Sequence, residues 1–403
     1  MKSRASLVIA ALMFGCTDWA SLSKDYEGPG VCPAYVVASS THTCLRKTSG
    51  SLYCWGDNRF GQLGTGDTTK RSTPTRIDVA GLGITRVLLP AGETEITSDL
   101  AGNTCAITTD SSLYCWGDNR FGQLGRGDTT SVSKPAIVNG IDRHVARAGS
   151  GTGHICAQSV DGELFCWGKN TQGQLGLGEH GQEPNPTKVN IGHVVERLAA
   201  GGDFSCARST DGSLFCWGDN RLGQLGTGDG VAAQNVPVQV ANMGTHVVRV
   251  SAGGAHACAY TDDGVVWCWG DNRSGQLGTG DQESHPRPVK VDPSGFGQVK
   301  TNEVLAGGTH TCALRDDNSL WCWGGNRFGQ LGTGDTFPRT VPVQVAPDVL
   351  GQNVAAAYAG GAHTCAIKTD GSLYCWGNNQ YSQLGVDVGS QSLNPVQVLG
   401  PCQ

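Results

Sequence analysis

What the chain lacks narrows it first. Charged residues make up only 16% of its 403 residues, against about a quarter in ordinary soluble domains. The formal net charge is just −6, which gives no reason to expect nucleic acid or an anionic membrane surface as a partner. The apolar run at the start, ASLVIAALMF (Ala5–Phe14), is ten residues long, too short to span a bilayer. There is no GxSxG, no HExxH and no P-loop. No two cysteines stand at the C-x2-C to C-x4-C spacing of zinc sites. Nucleophilic, zinc-hydrolytic and nucleotide-cleaving chemistry therefore have no motif here. The expectation is a protein that is not an enzyme and takes no cofactor and no metal.

Glycine and cysteine are what the chain has in excess: 60 and 17 residues. Both are periodic. The tripeptide CWG begins at Cys54, Cys115, Cys166, Cys216, Cys268, Cys322 and Cys375, with intervals of 50 to 54 residues after a first interval of 61. A G/S-Q-L-G tetrapeptide follows each, and most units close on a Pro-Val stretch such as VPVQV (Val236–Val240). In one unit, VVRVSAGG (Val247–Gly254) is a valine-rich strand, HACAYT and VVWCWG flank a turn as a hairpin, and NVPVQV is a strand whose proline suits an edge. Four short strands per fifty residues is the propeller-blade pattern. No blade buries both faces alone, so the ring forms as a whole. The fold class expected is all-β, a seven-bladed β-propeller with four antiparallel strands per blade, over residues 31–403.

Each CWG cysteine has a partner ten residues earlier: Cys44, Cys105, Cys156, Cys206, Cys258, Cys312 and Cys365. Cys365 and Cys375 are symmetric about Asp370. A three-residue loop Thr369-Asp370-Gly371 with a left-handed glycine closes such a hairpin. Lys368 then faces Ser372, and Cys365 faces Cys375 at a non-hydrogen-bonded position about 4.5 Å apart, within the short end of disulfide geometry. One disulfide inside every blade is the consequence. Three cysteines remain: Cys16, Cys32 and Cys402. If Cys16 is modified, Cys32 and Cys402 form a pair that staples the ring. Chain entropy assigns roughly 2.5–3 kcal/mol to an 11-residue loop and roughly 5–6 kcal/mol to the terminal bond.

The N-terminus reads as an export signal. Lys2 and Arg4 precede the apolar run, and Gly15 and Cys16 follow it. MFGC resembles the lipobox of bacterial lipoproteins, with Met13 where leucine is usual, which makes residues 1–16 a signal, Cys16 the lipidated residue and 17–30 a linker. Regular disulfides belong outside the cytosol, in agreement with that signal.

Units of the form AGGxHTCAxxxDGSLYCWGxNxxGQLGxGD resemble the repeats of the regulator of chromosome condensation family, from about Val31 to Cys402. The resemblance implies a seven-bladed propeller. Its founding members are exchange factors for a nuclear GTPase, others are photoreceptors, and one secreted bacterial member inhibits β-lactamases. This chain departs from the nuclear members in its paired cysteines, its export signal and its lack of a basic tail. Fold is better specified than activity by such a likeness.

Five repeats carry histidine two before the first cysteine: His42, His154, His256, His310 and His363; Asn103 and Phe204 fill the other two places. A histidine ring can hold metal or protons, but a position open to phenylalanine is expected to anchor the repeat instead. Arg59, Arg120, Arg221, Arg273 and Arg327 recur after the tryptophan-glycine, four of them two residues beyond Asp57, Asp118, Asp219 and Asp271. Local Arg–Asp pairing is expected, with a charged rim as the sharper alternative. GRGD (Gly125–Asp128) matches an adhesion tripeptide, yet its counterparts read GTGD, a turn sequence without the alternating ligands of a calcium loop.

Specificity is expected where repeats differ. The candidate binding loops are the acidic insertion Gly81–Ala101 with Glu93, Glu95 and Asp99, the third unit's Lys169, Gln172, Glu179 and His180, and the stretch Asp292–Glu303 with Phe296. The function expected is an exported, lipid-anchored, monomeric scaffold at the outer face of a bacterial membrane or cell surface, binding a protein or cell-envelope ligand. An exchange-factor-like GTPase regulator and an inhibitor of an extracellular enzyme stay open as alternatives.

Overall fold

The computed structural model describes residues 32–78, 96–98, 102–141, 144–228, 233–244, 246–294 and 299–402. These form seven four-stranded antiparallel sheets and, among the described residues, no helix. Blade 1 consists of β1 (Pro33–Ala38), β2 (His42–Lys47), β3 (Leu52–Gly56) and β4 (Arg71–Arg76), paired in that order. The other six blades repeat the same sequential order. Every blade is thus one continuous stretch of chain, and no strand is exchanged to close the ring.

The hairpin register follows the cysteine symmetry. Cys365 stands opposite Cys375, His363 opposite Gly377 and Ile367 opposite Leu373. The Lys368 N–H donates to the Ser372 carbonyl at 2.9 Å, and Gly371 takes φ +82° at the turn. The seven hairpin pairs Cys44–Cys54, Cys105–Cys115, Cys156–Cys166, Cys206–Cys216, Cys258–Cys268, Cys312–Cys322 and Cys365–Cys375 are disulfides with Cα–Cα distances of 4.1 Å. Cys32 is bonded to Cys402 with Cα atoms 5.5 Å apart.

The core is seven clusters, one at each junction between blades, and each is built around a disulfide. Cys44 and Cys54 of blade 1 pack with Trp116 of blade 2, and Cys105 and Cys115 of blade 2 with Trp167 of blade 3. The pattern continues around to Cys365 and Cys375 of blade 7, which pack with Trp55 of blade 1. The fourteen sulfur-bearing residues are 0–2% exposed. Each CWG tryptophan also donates its Nε1–H to the carbonyl of the preceding blade's GQLG glutamine at 2.9–3.0 Å: Trp55 to Gln383, Trp116 to Gln62, and so on through Trp376 to Gln330. Gly64 shows why the tetrapeptide ends in glycine. Its φ is +78°, and a Cβ there would lie 2.8 Å from Trp116 Nε1.

The insertion between blades 1 and 2 is partly a strand. Ile96–Ser98 pairs with Asn103–Ile107, Thr97 facing Cys105. The expected protruding loop Glu93–Asp99 is corrected to that extent, because blade 2 takes its first strand from it. Glu93, Glu95, Asp99, Phe296 and Cys16 lie outside the described residues.

Candidate functional site on the loop face

The recurring polar residues divide into those that join blades and those that reach solvent. The histidines join blades. His42 Nε2 lies 2.7 Å from Thr104 Oγ1, His154 Nε2 lies 2.8 Å from Ser205 Oγ, and His256 Nε2 lies 2.9 Å from Thr311 Oγ1. His310 meets Thr364 at 2.9 Å, and His363 meets Thr43 of blade 1 at 2.8 Å. Each of these hydroxyls donates to the glutamine carbonyl that the tryptophan also reaches, as Thr104 does to Gln62 at 2.8 Å. The hydroxyl proton is thereby committed, so the histidine donates from Nε2–H and is neutral. Burial lowers all five histidines, to about 4 at His42 and His256 and about 3 at His154, His310 and His363.

The two exceptions are explained by their neighbours. The residue that would meet Asn103 is Ile155 and the residue that would meet Phe204 is Ala257. Phe204 and Ala257 pack in one apolar cluster. A hydroxyl and a histidine are present together or absent together. That pairing was readable in the sequence by comparing the two columns with an offset of one repeat. Among the described residues no group of three or more His, Cys, Asp or Glu side chains is placed to hold a metal ion.

The arginines reach solvent on the opposite side of each blade from the TDG turns. Here the segment after CWG is stitched by asparagine: the Leu63 N–H donates to Asn58 Oδ1 at 2.9 Å, and the same bond occurs in all seven blades. Asp67, Asp128, Asp281 and Asp335 of the GxGD turns accept from those asparagines. Asp128 of GRGD is held this way, by Asn119 at 2.9 Å and by the Thr130 N–H at 2.9 Å, so the tripeptide is one of the repeated turns.

Above this base stand the pairs Arg59–Asp57, Arg120–Asp118, Arg221–Asp219 and Arg273–Asp271, at 2.8–2.9 Å. The arginine side chains are 58–71% exposed and the aspartates at most 10%. Burial pushes the Asp219 and Asp271 carboxyls up, and the hydrogen bonds and charge of Arg221 and Arg273 outweigh it, so both stay below the ordinary carboxylate range. Some cations also stack on the preceding blade: Arg59 over Tyr381 at 5.1 Å, Arg120 over Phe60 at 4.8 Å and Lys169 over Phe121 at 5.8 Å. Tyr381, Arg59, Phe60, Arg120, Phe121 and Lys169 thus form a continuous ladder over blades 7, 1, 2 and 3. These aromatic partners escaped sequence reasoning, because each lies one blade away from its cation.

Blade 3 departs as the sequence indicates. Lys169 replaces the aspartate and binds Asp203 of blade 4 at 2.7 Å, where Gln174 also donates at 2.9 Å. Gln172 donates its backbone N–H to Gln174 at 2.8 Å. The Glu179 carbonyl accepts from Asn170 at 2.8 Å, and Glu179 and His180 are exposed. All four candidates of this blade therefore lie on the loop face. Blade 6 departs differently: Gly325 stands where the aspartate would, and Arg327 stacks on its own Phe328 at 5.6 Å.

Such a ring of seven four-stranded blades, polar and aromatic on one face, is a seven-bladed β-propeller. The chain belongs to the regulator of chromosome condensation (RCC1) repeat family. Models of that repeat match residues 34–62, 49–87, 110–158 and 161–208, and the RCC1-like domain matches 190–402. It is 32% identical over 370 residues to the ultraviolet-B receptor UVR8 of Arabidopsis thaliana, covering 91% of this chain and 70% of that one. It is 34% identical over 356 residues to the human E3 ubiquitin-protein ligase HERC2, covering 87% of this chain but only 6% of that much longer protein. Yeast RCC1 (Prp20) bound to Kap60 superposes with TM-score 0.73 at 21% identity, covering 99% of this chain and 91% of that one. Prp20p, whose solved structure accompanies its binding properties to Gsp1p and histones, gives 0.72 at 22% identity, covering 94% and 89%. These two superpositions show the shared fold.

Proposed function

We propose that the protein is an exported, monomeric binding scaffold, held to a bacterial membrane or cell surface by lipid on Cys16, whose loop face recognises a protein or cell-envelope ligand. The observation that carries the reading is the use of cysteine. Sixteen of the seventeen are consumed in eight disulfides, seven of them at the centre of the blade junctions. Buried disulfides at every junction suit an oxidising compartment. The rigid ring then presents Arg, Phe and Tyr side chains, residue types enriched at protein interfaces. The scaffold is assigned no catalysis of its own.

A second reading is a GTPase regulator, supported by the likeness to Prp20p. It requires a reducing compartment, where the blade cysteines would be thiols. Non-reducing peptide mapping by mass spectrometry, on protein taken from native membranes, separates the two. The scaffold reading expects lipid on Cys16 and linked peptides such as Cys365–Cys375 and Cys32–Cys402. An unmodified full-length chain with free thiols overturns it and favours the regulator.

A further inference from the structure

The loop face carries its own template for carboxylate binding. In blades 1, 2, 4 and 5 an aspartate two residues before the arginine holds the guanidinium at 2.8–2.9 Å. Blade 6 keeps the arginine and lacks the acid. Gly325 occupies the aspartate position, and among the described residues no carboxylate pairs with Arg327. The backbone is otherwise unchanged: the Gly325 N–H donates to the Thr309 carbonyl at 2.8 Å, as the Asp57 N–H donates to the Thr41 carbonyl at 3.0 Å. Gly325 lines a cleft of about 600 Å³ that runs over blades 5, 6 and 7, bordered among others by Arg273, Thr309, Arg327, Phe328 and Thr336. Two arginines line it, one already paired with Asp271, together with the hydroxyl residues Ser274, Thr309 and Thr336 and the Phe328 ring.

We propose that this cleft binds an acidic segment of a partner protein, with an incoming Asp or Glu carboxylate taking at Arg327 the place that Asp57, Asp118, Asp219 and Asp271 take at their own arginines. The inference rests on the reading of the loop face as a protein-binding surface and names the partner's chemistry. Charge complementarity selects the occupant: an exposed guanidinium with open donors recognises a carboxylate bidentately, and Phe328 offers apolar contact beside it. Gly325 is the specificity-determining residue, because any acid in its place would satisfy Arg327 from within the chain.

The test uses the full oxidised chain and a fluorescein-labelled hexaglutamate peptide, titrated by anisotropy at low ionic strength, with a hexaglutamine peptide beside it. Hexaglutamate is expected to bind the wild type, and hexaglutamine is not. Gly325→Asp is expected to weaken binding at least tenfold by supplying the internal acid. A Cβ at Gly325 would lie 2.8 Å from Thr309 Oγ1, so the Thr309 hydroxyl must turn aside; blade 1 carries the same pair of residue types, Asp57 and Thr41, and the variant is checked for folding by circular dichroism. Arg327→Ala, checked for folding by circular dichroism, is expected to give the same loss without adding an acid. Equal binding of hexaglutamate to the wild type and both variants, or no binding to any, overturns the cleft assignment. Either result leaves the scaffold reading to the peptide map, which fails separately if the thiols are free.

Discussion

At the residue scale the five buried histidines set how the protein meets acid. Their partners, Thr43, Thr104, Ser205, Thr311 and Thr364, are neutral. The charged groups acting on them are few: Asp57 raises His42 and Asp271 raises His256, Lys169 lowers His154, and neighbouring histidines lower His310 and His363. Burial outweighs the two raising influences. The folded values, about 3 to 4, lie below the unfolded value of 6.5, so the unfolded chain binds more protons between them. Stability is therefore complete above about pH 6.5 and is lost as pH falls toward 4. Each histidine contributes a slope of up to about 1.4 kcal/mol per pH unit, so five reach about 7 kcal/mol per unit. Against a net stability of roughly 5–15 kcal/mol, unfolding near pH 4–5 is expected. Urea midpoints measured at pH 7, 6, 5 and 4 check this, with a shallower slope expected for His310→Asn. Midpoints that stay level from pH 7 to 4 would refute the neutral buried state. The histidine columns were visible in the sequence, but their partners emerge only when the columns are compared one repeat apart, since each bond crosses 51 to 62 residues, or 320 at the closing junction.

At the scale of the element, the hairpin explains both the regularity of the cysteines and the limits of reading them. Symmetry about a three-residue turn fixes which residues face each other, so the pairing of Cys365 with Cys375 followed from spacing alone. The proline-bearing outer strand was equally legible, because an edge is where a missing N–H costs least. What spacing does not carry is the relation between blades: that a disulfide lies under the next blade's tryptophan, or that Arg120 stacks on Phe60. Those contacts depend on the rotation from one blade to the next. The acidic insertion misled for a related reason, since a three-residue strand at Ile96–Ser98 has too little pattern to stand out from the loop around it. Because each disulfide sits within a junction, replacing one pair should loosen two blades together. For Cys258→Ala with Cys268→Ala, chain entropy predicts a loss of about 3 kcal/mol, increased by the cavity left under Trp323. Hydrogen exchange should rise in blade 5 and in the Leu320–Gly324 strand of blade 6. Acceleration confined to blade 5 would show that the disulfide serves the hairpin alone.

At the scale of the whole molecule, the ring must close where the chain's ends meet. Strand exchange does not do it, since all seven sheets are contiguous in sequence. Blade 7 meets blade 1 through the tryptophan bond common to every junction, Trp55 to Gln383, through the histidine bond that four other junctions share, His363 to Thr43, and through one bond the others lack. The Cys32 carbonyl accepts from the Thr48 N–H at the blade 1 turn, and the Cys402 N–H donates to Asp370 at the blade 7 turn, both at 2.9 Å, so the Cys32–Cys402 disulfide ties two hairpin turns together. It differs from the blade disulfides in two respects that act in opposite directions. Its loop takes in nearly the whole chain, which gives it the larger entropic effect, roughly 5–6 kcal/mol against about 3 kcal/mol. It is also only half-buried, whereas the fourteen blade cysteines are sealed between sheets, so a dithiol reaches it first. Brief treatment with dilute dithiothreitol followed by alkylation should label Cys32 and Cys402 while the other fourteen remain linked. Hydrogen exchange should then rise in Pro33–Ala38 and Val354–Ala359, the facing first strands of blades 1 and 7. Cys402→Ala should produce the same local opening without reductant. Simultaneous alkylation of blade cysteines, or unchanged exchange at the closing junction, would mean that packing alone holds the ring and that the terminal bond is dispensable to it.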